Sequence, residues 1–506
     1  MLRRLASQPL IVLVMGIGAI SMLVPAIHAE AIGDHHVGRA FFYSSLLFMI
    51  FVTMIAIAVA GRPIRRRERS HLITIVATFT LLPLMLAVPV VEAMGNTTFF
   101  NAYVEMVSSL TTTGATLFAP ERLAPSVHLW RAQVGWMGGF FVWLTAVAIL
   151  APLNLGGFEV RSSASEIGQG ASGATPITRV ADLSERVTRF ALRLFPIYLS
   201  LTVLLWALLY ITGDTPLVAL CHAMSTLATS GISPVGGPIG ETAGTGTEIL
   251  VFIFLIFALS RMTFSADERP EGWRSLPQDR ELRIGLLLVV AVPVLLVGRH
   301  WLGAFEVTGE TSLPEMLRAL WGSAFTVLSF LTTTGFESVE WTAAKNWSGL
   351  GTPGLILMGL ALLGGGVATT AGGVKLLRVH ALYQHGLREM EKLVHPSSIG
   401  GSGQSARRMR RQGAYVAWIF FMLFAMSIAV ATTAFAAAGV AFDESIVLTI
   451  SALTTTGPLI TAAGPEVIDL AAEAPLVRGI YTFAMVVGRL ETLAIIALLN
   501  PDFWRT

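Results

Sequence analysis

Apolar residues run in long blocks along this chain, separated by arginine-rich or glycine-rich breaks. Ten blocks come close to the ~20 residues that a bilayer-crossing helix needs. They fall near 9–28, 39–60, 71–94, 131–152, 190–211, 246–264, 284–302, 350–378, 414–438 and 476–499. The first follows "MLRR" and precedes "AIHAEA", which imitates a secretory signal. It exceeds the usual apolar core of about 7–15 residues, so a retained span is expected.

Charge sets the expected orientation. Arg3, Arg4, Arg62, Arg65 to Arg67, Arg69, Arg161, Arg179, Arg186, Arg189, Arg261, Arg269, Arg274, Arg280 and Arg283 all fall in every second connection. The richest such connection runs from Lys375 to "RRMRR" at 407–411, while the other side keeps only a few such as Arg39, Arg122 and Lys345. This positive-inside pattern predicts that both termini are cytoplasmic. The Gly/Ser/Ala-rich connections at 161–185 and 398–406 are expected to be flexible linkers.

A second kind of apolar segment is mostly too short to cross. "NAYVEMVSSLTTTG", "PLVALCHAMSTLATSG", "LPEMLRALWGSAFTVLSFLTTTG" and "FDESIVLTISALTTTG" each lie in an outer connection. Each closes on a Thr- or Ser-rich phrase ending at Gly114, Gly231, Gly335 or Gly457. Asp214-Thr215-Pro216, Ser312-Leu313-Pro314-Glu315 and Asp443-Glu444 supply helix-start signals. The pattern predicts a fourfold internal repeat of span, re-entrant half-helix, Thr-Gly loop and span. The expected units are 61–160, 161–275, 276–395 and 396–506, preceded by two extra spans in 1–60.

Non-helical backbone at membrane depth is tolerated only where it is buried in protein or lines a watery cavity. Four such loops at equivalent depth predict one shared cavity, because four unrelated polar turns would not each follow a half-helix. A half-helix entering from outside points its partially negative C-terminal end inward, which favours a cation. Carbonyl rings can replace the water around a dehydrated alkali ion. The candidate filter residues are Thr112, Thr113, Gly114; Thr229, Ser230, Gly231; Thr333, Thr334, Gly335; and Thr455, Thr456, Gly457. Among these phrases the only acid is Glu337, just past one glycine, which argues against Ca²⁺ or Mg²⁺ as the main ion. Pro458 follows the fourth glycine and lacks a backbone donor.

Composition narrows the classes further. Of 506 residues, 54% are hydrophobic and 13% charged, against about 25% charged in soluble domains. The net charge of +2 is too small to suggest a nucleic-acid partner. Cys221 is the only cysteine, which excludes a disulfide framework, and no histidine pair has metal-ligand spacing. His35 and His36 are expected to be surface residues. An intramembrane enzyme would need a clustered His, Asp or Ser–His site, and none stands out. An organic-substrate carrier built on inverted repeats is disfavoured, because the four units have the same orientation.

The repeat resembles the Trk/Ktr/HKT superfamily of potassium transporters, specifically the TrkH-type pore-forming subunit. The resemblance covers almost the whole chain. "GWMGGFFVWLTAVAILAPLNLGG" from Gly135, "GGGVATTAGGVKLLRV" from Gly364 and "GRLETLAIIALLNPDFWR" from Gly488 match that type. In the second repeat the match is weaker, with Ala228 in the filter phrase and few glycines in "VFIFLIFALSRMTF". The resemblance implies an all-α polytopic membrane protein with four pseudo-symmetric M1–P-loop–M2 repeats around one pore, plus two extra N-terminal helices. It implies K⁺ as the transported ion, held in the filter, with no tightly bound organic cofactor. It also implies a bacterial inner-membrane homodimer served by a cytosolic, nucleotide-binding ring of the RCK/KTN, TrkA-like type. A weakly selective K⁺/Na⁺ channel and a Na⁺- or H⁺-coupled K⁺ symporter of the same architecture remain alternatives.

A candidate gate lies below the filter. Gly364, Gly365, Gly366, Thr369, Thr370, Gly372 and Gly373 interrupt an apolar block, and each glycine costs a helix about 1 kcal/mol against alanine. Such a break is tolerated where it lines a cavity, although glycines also allow close helix packing. Arg489 lies inside the last span, where an arginine faces protein or water and has a role. It is expected to raise the barrier to cations and to hold the glycine loop by its carbonyls, and the family resemblance gives the matching arginine a gating role. Glu491 points elsewhere around that helix, so a structural ion pair is expected for it. Lys375 and Arg378 are expected near the cytoplasmic exit, as part of the gate or as simple anchors.

Overall fold

The computed structural model describes residues 8–60, 67–150, 183–260, 279–302, 313–395, 414–464 and 467–490. Nearly all of the 161–185 linker, the 398–406 linker, "RRMRR" and Glu491 lie outside those residues. Among the described residues every regular element is helical.

Among the described residues, six helical stretches are long and apolar enough to cross a membrane: Leu10–Ala31, His35–Val59, Ile73–Met94, Val187–Thr212, Arg280–His300 and Ala417–Ala437. The first is α1 (Leu10–Ser21) continued by α2 (Leu23–Ala31), and the second lies in α3 (His35–Val59). Both pack on each other, and α3 packs on α5 (Leu82–Met94), which continues α4 (Arg67–Thr80). The remaining three long stretches lie in α8 (Leu183–Thr212), α11 (Arg280–Leu302) and α16 (Ala414–Ala437).

The other four expected spans are not among those six. α7 (Pro125–Thr145) passes into a π turn over Ala146–Leu150, and α10 (Thr245–Leu255) into a 3-10 turn over Ile256–Leu259. The third is split into α14 (Gly354–Leu363) and α15 (Leu376–Val394), and α19 (Pro475–Arg489) is described only as far as Leu490. The glycine run explains the third interruption; a helix cannot hold Gly364 at φ 71 and Gly373 at φ 76.

Between each pair of spans sits a half-helix: α6 (Phe99–Leu110), α9 (Pro216–Ala228), α12 (Leu313–Leu331) and α17 (Phe442–Leu453). Two short helices, α13 (Trp341–Ser348) and α18 (Leu459–Ala462), follow the third and fourth loops. The half-helices start largely as read. Thr98 caps α6 by accepting from Asn101 N at 3.3 Å, Pro216 opens α9, and Asp443 and Glu444 sit in the first turn of α17. The acid of Asp214-Thr215-Pro216 is used differently: Asp214 makes no cap and accepts instead from Thr242 Oγ1 at 2.5 Å.

Packing between units runs in a cycle. Each span after a loop touches the half-helix before it and the half-helix of the next unit: α7 meets α9, α10 meets α12, α14 meets α17, and α19 returns to α6. That closure sets the four half-helix ends around one centre.

Candidate functional site

The four half-helices end alike. In each, the residue before the glycine returns its N–H to the carbonyl of a serine: Thr113 to Ser108, Ser230 to Ser225, Thr334 to Ser329 and Thr456 to Ser451, all at 2.9 Å. The residue between is forced into the left-handed region, with φ of 55 at Thr112, 50 at Thr229, 58 at Thr333 and 54 at Thr455. A β-branched residue there is a true outlier, and such strain costs about 1–3 kcal/mol. The same strained threonine recurs at four equivalent, buried positions.

The loops close a ring. A methyl group on Gly114 would strike the Ser230 carbonyl, and one on Gly231 the Thr334 carbonyl. On Gly335 it would stand 2.8 Å from Pro458 Cγ, and Gly457 donates its N–H to the Thr113 carbonyl at 2.6 Å. First touches second, second third, third fourth, and fourth first. The structure thus brings all twelve candidate filter residues together. Among the described residues no hydrogen bond is made to the carbonyls of Thr112, Thr229, Thr333 or Thr455. Glu337, just outside the third glycine, has its carboxyl pushed above the ordinary range by burial, with Lys345 opposing.

The fourth loop departs from the expected equivalence. Gly114, Gly231 and Gly335 have φ of 76, 64 and 85, whereas Gly457 is not among the positive-φ residues. The chain does not run on extended after it. Pro458, at φ −60 and ψ −12, starts α18 at once, and the Thr456 and Gly457 carbonyls accept from Leu459 N and Ile460 N at 3.1 Å each. Proline's fixed φ favours the first turn of a helix, which accounts for the turn.

Three braces behind the loops were not anticipated from the sequence. Nine residues before the glycine stand Glu105, His222 and Thr326. Each reaches the chain leaving its loop: Glu105 accepts from Leu117 N at 2.9 Å, His222 Nε2 pairs with Ser233 Oγ at 3.0 Å, and Thr326 accepts from Ser338 N at 3.4 Å. The fourth equivalent is Leu448. The available signal was a polar residue at one fixed position, nine before the glycine, in three of the four half-helices. Glu105 also forms a buried ion pair with Arg131 at 2.6 Å. Removing one partner of such a pair leaves a buried charge, which costs about 3–5 kcal/mol. Arg131→Ala is therefore expected to lower the unfolding temperature of the detergent-solubilised protein markedly; a wild-type melting curve would show that the pair contributes nothing.

The glycine loop between α14 and α15 sits directly against the filter threonines. Thr229 Oγ1 bonds Thr370 Oγ1 at 3.1 Å, and Thr370 Oγ1 donates to the Leu227 carbonyl at 3.2 Å. Gly372 N donates to Thr333 Oγ1 at 2.7 Å, and a methyl on Gly372 would stand 2.5 Å from Thr455 Oγ1. The loop thus reaches three of the four strained threonines. Its far side is also held: Gly366 N bonds the Ala258 carbonyl at 3.1 Å and Val367 N bonds Glu281 Oε1 at 2.9 Å. Thr369 Oγ1 closes on the Gly366 carbonyl at 2.7 Å. Gly364 and Gly365 lie against Gly373 and Ala371, so close packing and loop formation use the same glycines.

Arg489, buried in α19, donates from Nη1 to the Thr370 carbonyl at 2.8 Å. Lys375 and Arg378 are also buried and bonded to the loop: Lys375 Nζ to the Ala371 carbonyl, and Arg378 Nη1 to the Val374 carbonyl at 3.2 Å. Arg378 also lies over the Phe420 ring, 3.7 Å from its centroid.

Known proteins resemble this chain in sequence and in fold. The family described as TrkH, cation transport protein, matches residues 275–498. The Trk system potassium uptake protein TrkH of Salmonella typhimurium is 28% identical over 499 residues, 96% of each chain. The resemblance to the TrkH family is borne out. The TrkH protein of Escherichia coli K12 is 27% identical over 494 residues, again 96% of each chain. The crystal structure of the potassium transporter TrkH from Vibrio parahaemolyticus shares the fold, with a TM-score of 0.79 over 100% of both chains at 24% identity. The TrkH-type likeness therefore extends well beyond residues 275–498.

Proposed function

We propose that this chain takes up K⁺ across the bacterial inner membrane through the ring of four loops. The observation that carries this reading is the closed cycle of contacts among Gly114, Gly231, Gly335 and Gly457, with a strained threonine below each glycine. Relatives named as potassium uptake proteins support the choice of ion.

In this reading K⁺ sheds its water against backbone carbonyls of the four loops, while the negative ends of α6, α9, α12 and α17 favour the cation. The carbonyls of Thr112, Thr229, Thr333 and Thr455, which accept no hydrogen bond among the described residues, form the innermost site. The glycine loop is the gate, and the state described is closed, since the loop bonds Thr229 and Thr333 from below. Movement follows the electrochemical gradient, worth about 2.3 kcal/mol per charge per 100 mV. The four units follow the boundaries given above, both termini face the cytoplasm, and the working assembly is a homodimer with a cytosolic nucleotide-binding ring. Weaker K⁺ over Na⁺ discrimination is a second reading, favoured by the departure of the fourth loop.

The functional test is growth at low potassium of a bacterium lacking its own uptake systems, with ⁸⁶Rb⁺ uptake by the purified protein in liposomes. Rescue with Rb⁺ uptake is expected; a well-expressed chain giving neither counts against the reading. A gate prediction follows from packing. Gly372→Ala puts a methyl against the Thr454 carbonyl and Thr455 Oγ1. This should weaken the closed state and raise basal Rb⁺ uptake several-fold, and unchanged or lower uptake would place Gly372 outside the gate.

A further inference from the structure

The residue after the filter glycine behaves differently in the fourth unit. Ala115, Ile232 and Phe336 are 4%, 2% and 4% exposed, so in three units this side chain turns into the protein. Pro458 stays partly exposed, and its ring lies between two other loops. A methyl on Gly231 would stand 2.9 Å from Pro458 Cγ, and one on Gly335 2.8 Å from the same atom. Gly335 belongs to the adjacent unit, but Gly231 belongs to the unit opposite. A side chain from the fourth loop that reaches the second must cross the middle of the ring.

The turn that carries this ring also consumes oxygens. The Thr456 and Gly457 carbonyls accept from Leu459 N and Ile460 N, and Ser451 Oγ adds a bond to Thr456 O at 3.1 Å. The Thr113 carbonyl is taken by Gly457 N. Among the described residues, no hydrogen bond is made to the Ser230, Gly231, Thr334, Gly335 or Gly114 carbonyls. Carbonyl number and field strength set how well a dehydrated K⁺ is matched against the smaller Na⁺.

We propose that Pro458 is a specificity-determining residue of the ion path: its ring narrows the outer mouth, and its turn withdraws the fourth loop from the outer ion sites. The proposal rests on the filter reading above. The outer level is then a partial cage from the first three loops, and only the level of the four strained threonines offers a carbonyl from every unit. Selectivity concentrates at that inner level, and the outer level governs entry rate.

Two variants test this in liposomes, with ⁸⁶Rb⁺ and ²²Na⁺ uptake measured side by side. Pro458→Ala removes the ring while alanine still supports the turn; it should raise saturating Rb⁺ uptake and change the Rb⁺/Na⁺ ratio about threefold or more. Pro458→Cys places a thiol at the mouth in a chain whose sole native cysteine, Cys221, is buried. A charged, membrane-impermeant thiol reagent added outside should label it and stop uptake, and K⁺ should slow the labelling. Wild-type flux and ratio in folded Pro458→Ala overturn the proposal. So does full labelling of Pro458→Cys, verified by mass, with uptake intact, or complete failure to label. A wild-type chain that carries no Rb⁺ would instead sink the filter reading itself, so the two failures are distinguishable.

Discussion

Gly335→Ser is expected to cut the preference for K⁺ over Na⁺ about tenfold or more, with expression intact. Gly335 sits at φ 85, where a side chain is strained, and a Cβ would stand 2.8 to 3.0 Å from three atoms of the Pro458 ring. Strain of this kind costs about 1–3 kcal/mol, and 1.4 kcal/mol is a factor of ten. The loop must shift to relieve it, and a shifted loop changes the distances that discriminate between two ions of similar charge. Competition of K⁺ and Na⁺ against ⁸⁶Rb⁺ uptake measures this. A wild-type ratio in a folded Gly335→Ser protein would remove the third loop from the selective site.

Arg489→Gln should raise basal Rb⁺ uptake in the absence of any regulatory partner, also by about tenfold. The bond from Nη1 to the Thr370 carbonyl links α19 to the glycine loop between α14 and α15. Hydrogen bonds to charged groups contribute about 1.5–3 kcal/mol, so losing this one shifts the closed state by roughly that amount. A second effect has the same sign. The guanidinium is a fixed positive charge beside the path, and its removal lowers the barrier to a cation. Glutamine keeps much of the side-chain volume, so a loose core is not the cause of any rise. Wild-type basal uptake would show that Arg489 is structural.

The repeat was legible because its physics is local. Four serine-to-glycine phrases follow apolar stretches that are mostly too short to span, and each phrase forces one residue into the left-handed region. The break in the third apolar block was legible for a similar reason: Gly364 to Gly366, Gly372 and Gly373 cannot continue a helix, and Arg489 stands out as an arginine inside a span. What the sequence hid lies in tertiary contacts. Glu105 and Arg131 look like two unrelated charges until α6 and α7 pack together. Lys375 and Arg378 were expected near the cytoplasmic exit, as part of the gate or as anchors; both are buried and bonded to the glycine loop. The pattern also suggested four equivalent loops. The missing donor of Pro458 was visible, but its effect on the Thr456 and Gly457 carbonyls depended on a helical turn that only the structure displays.

The most direct measurement is a crystal structure of the protein grown in Rb⁺, with anomalous scattering locating the ion. The account predicts a Rb⁺ peak on the central axis at the level of the Thr112, Thr229, Thr333 and Thr455 carbonyls, surrounded by all four loops. A peak elsewhere, or an empty axis at saturating Rb⁺, would contradict it.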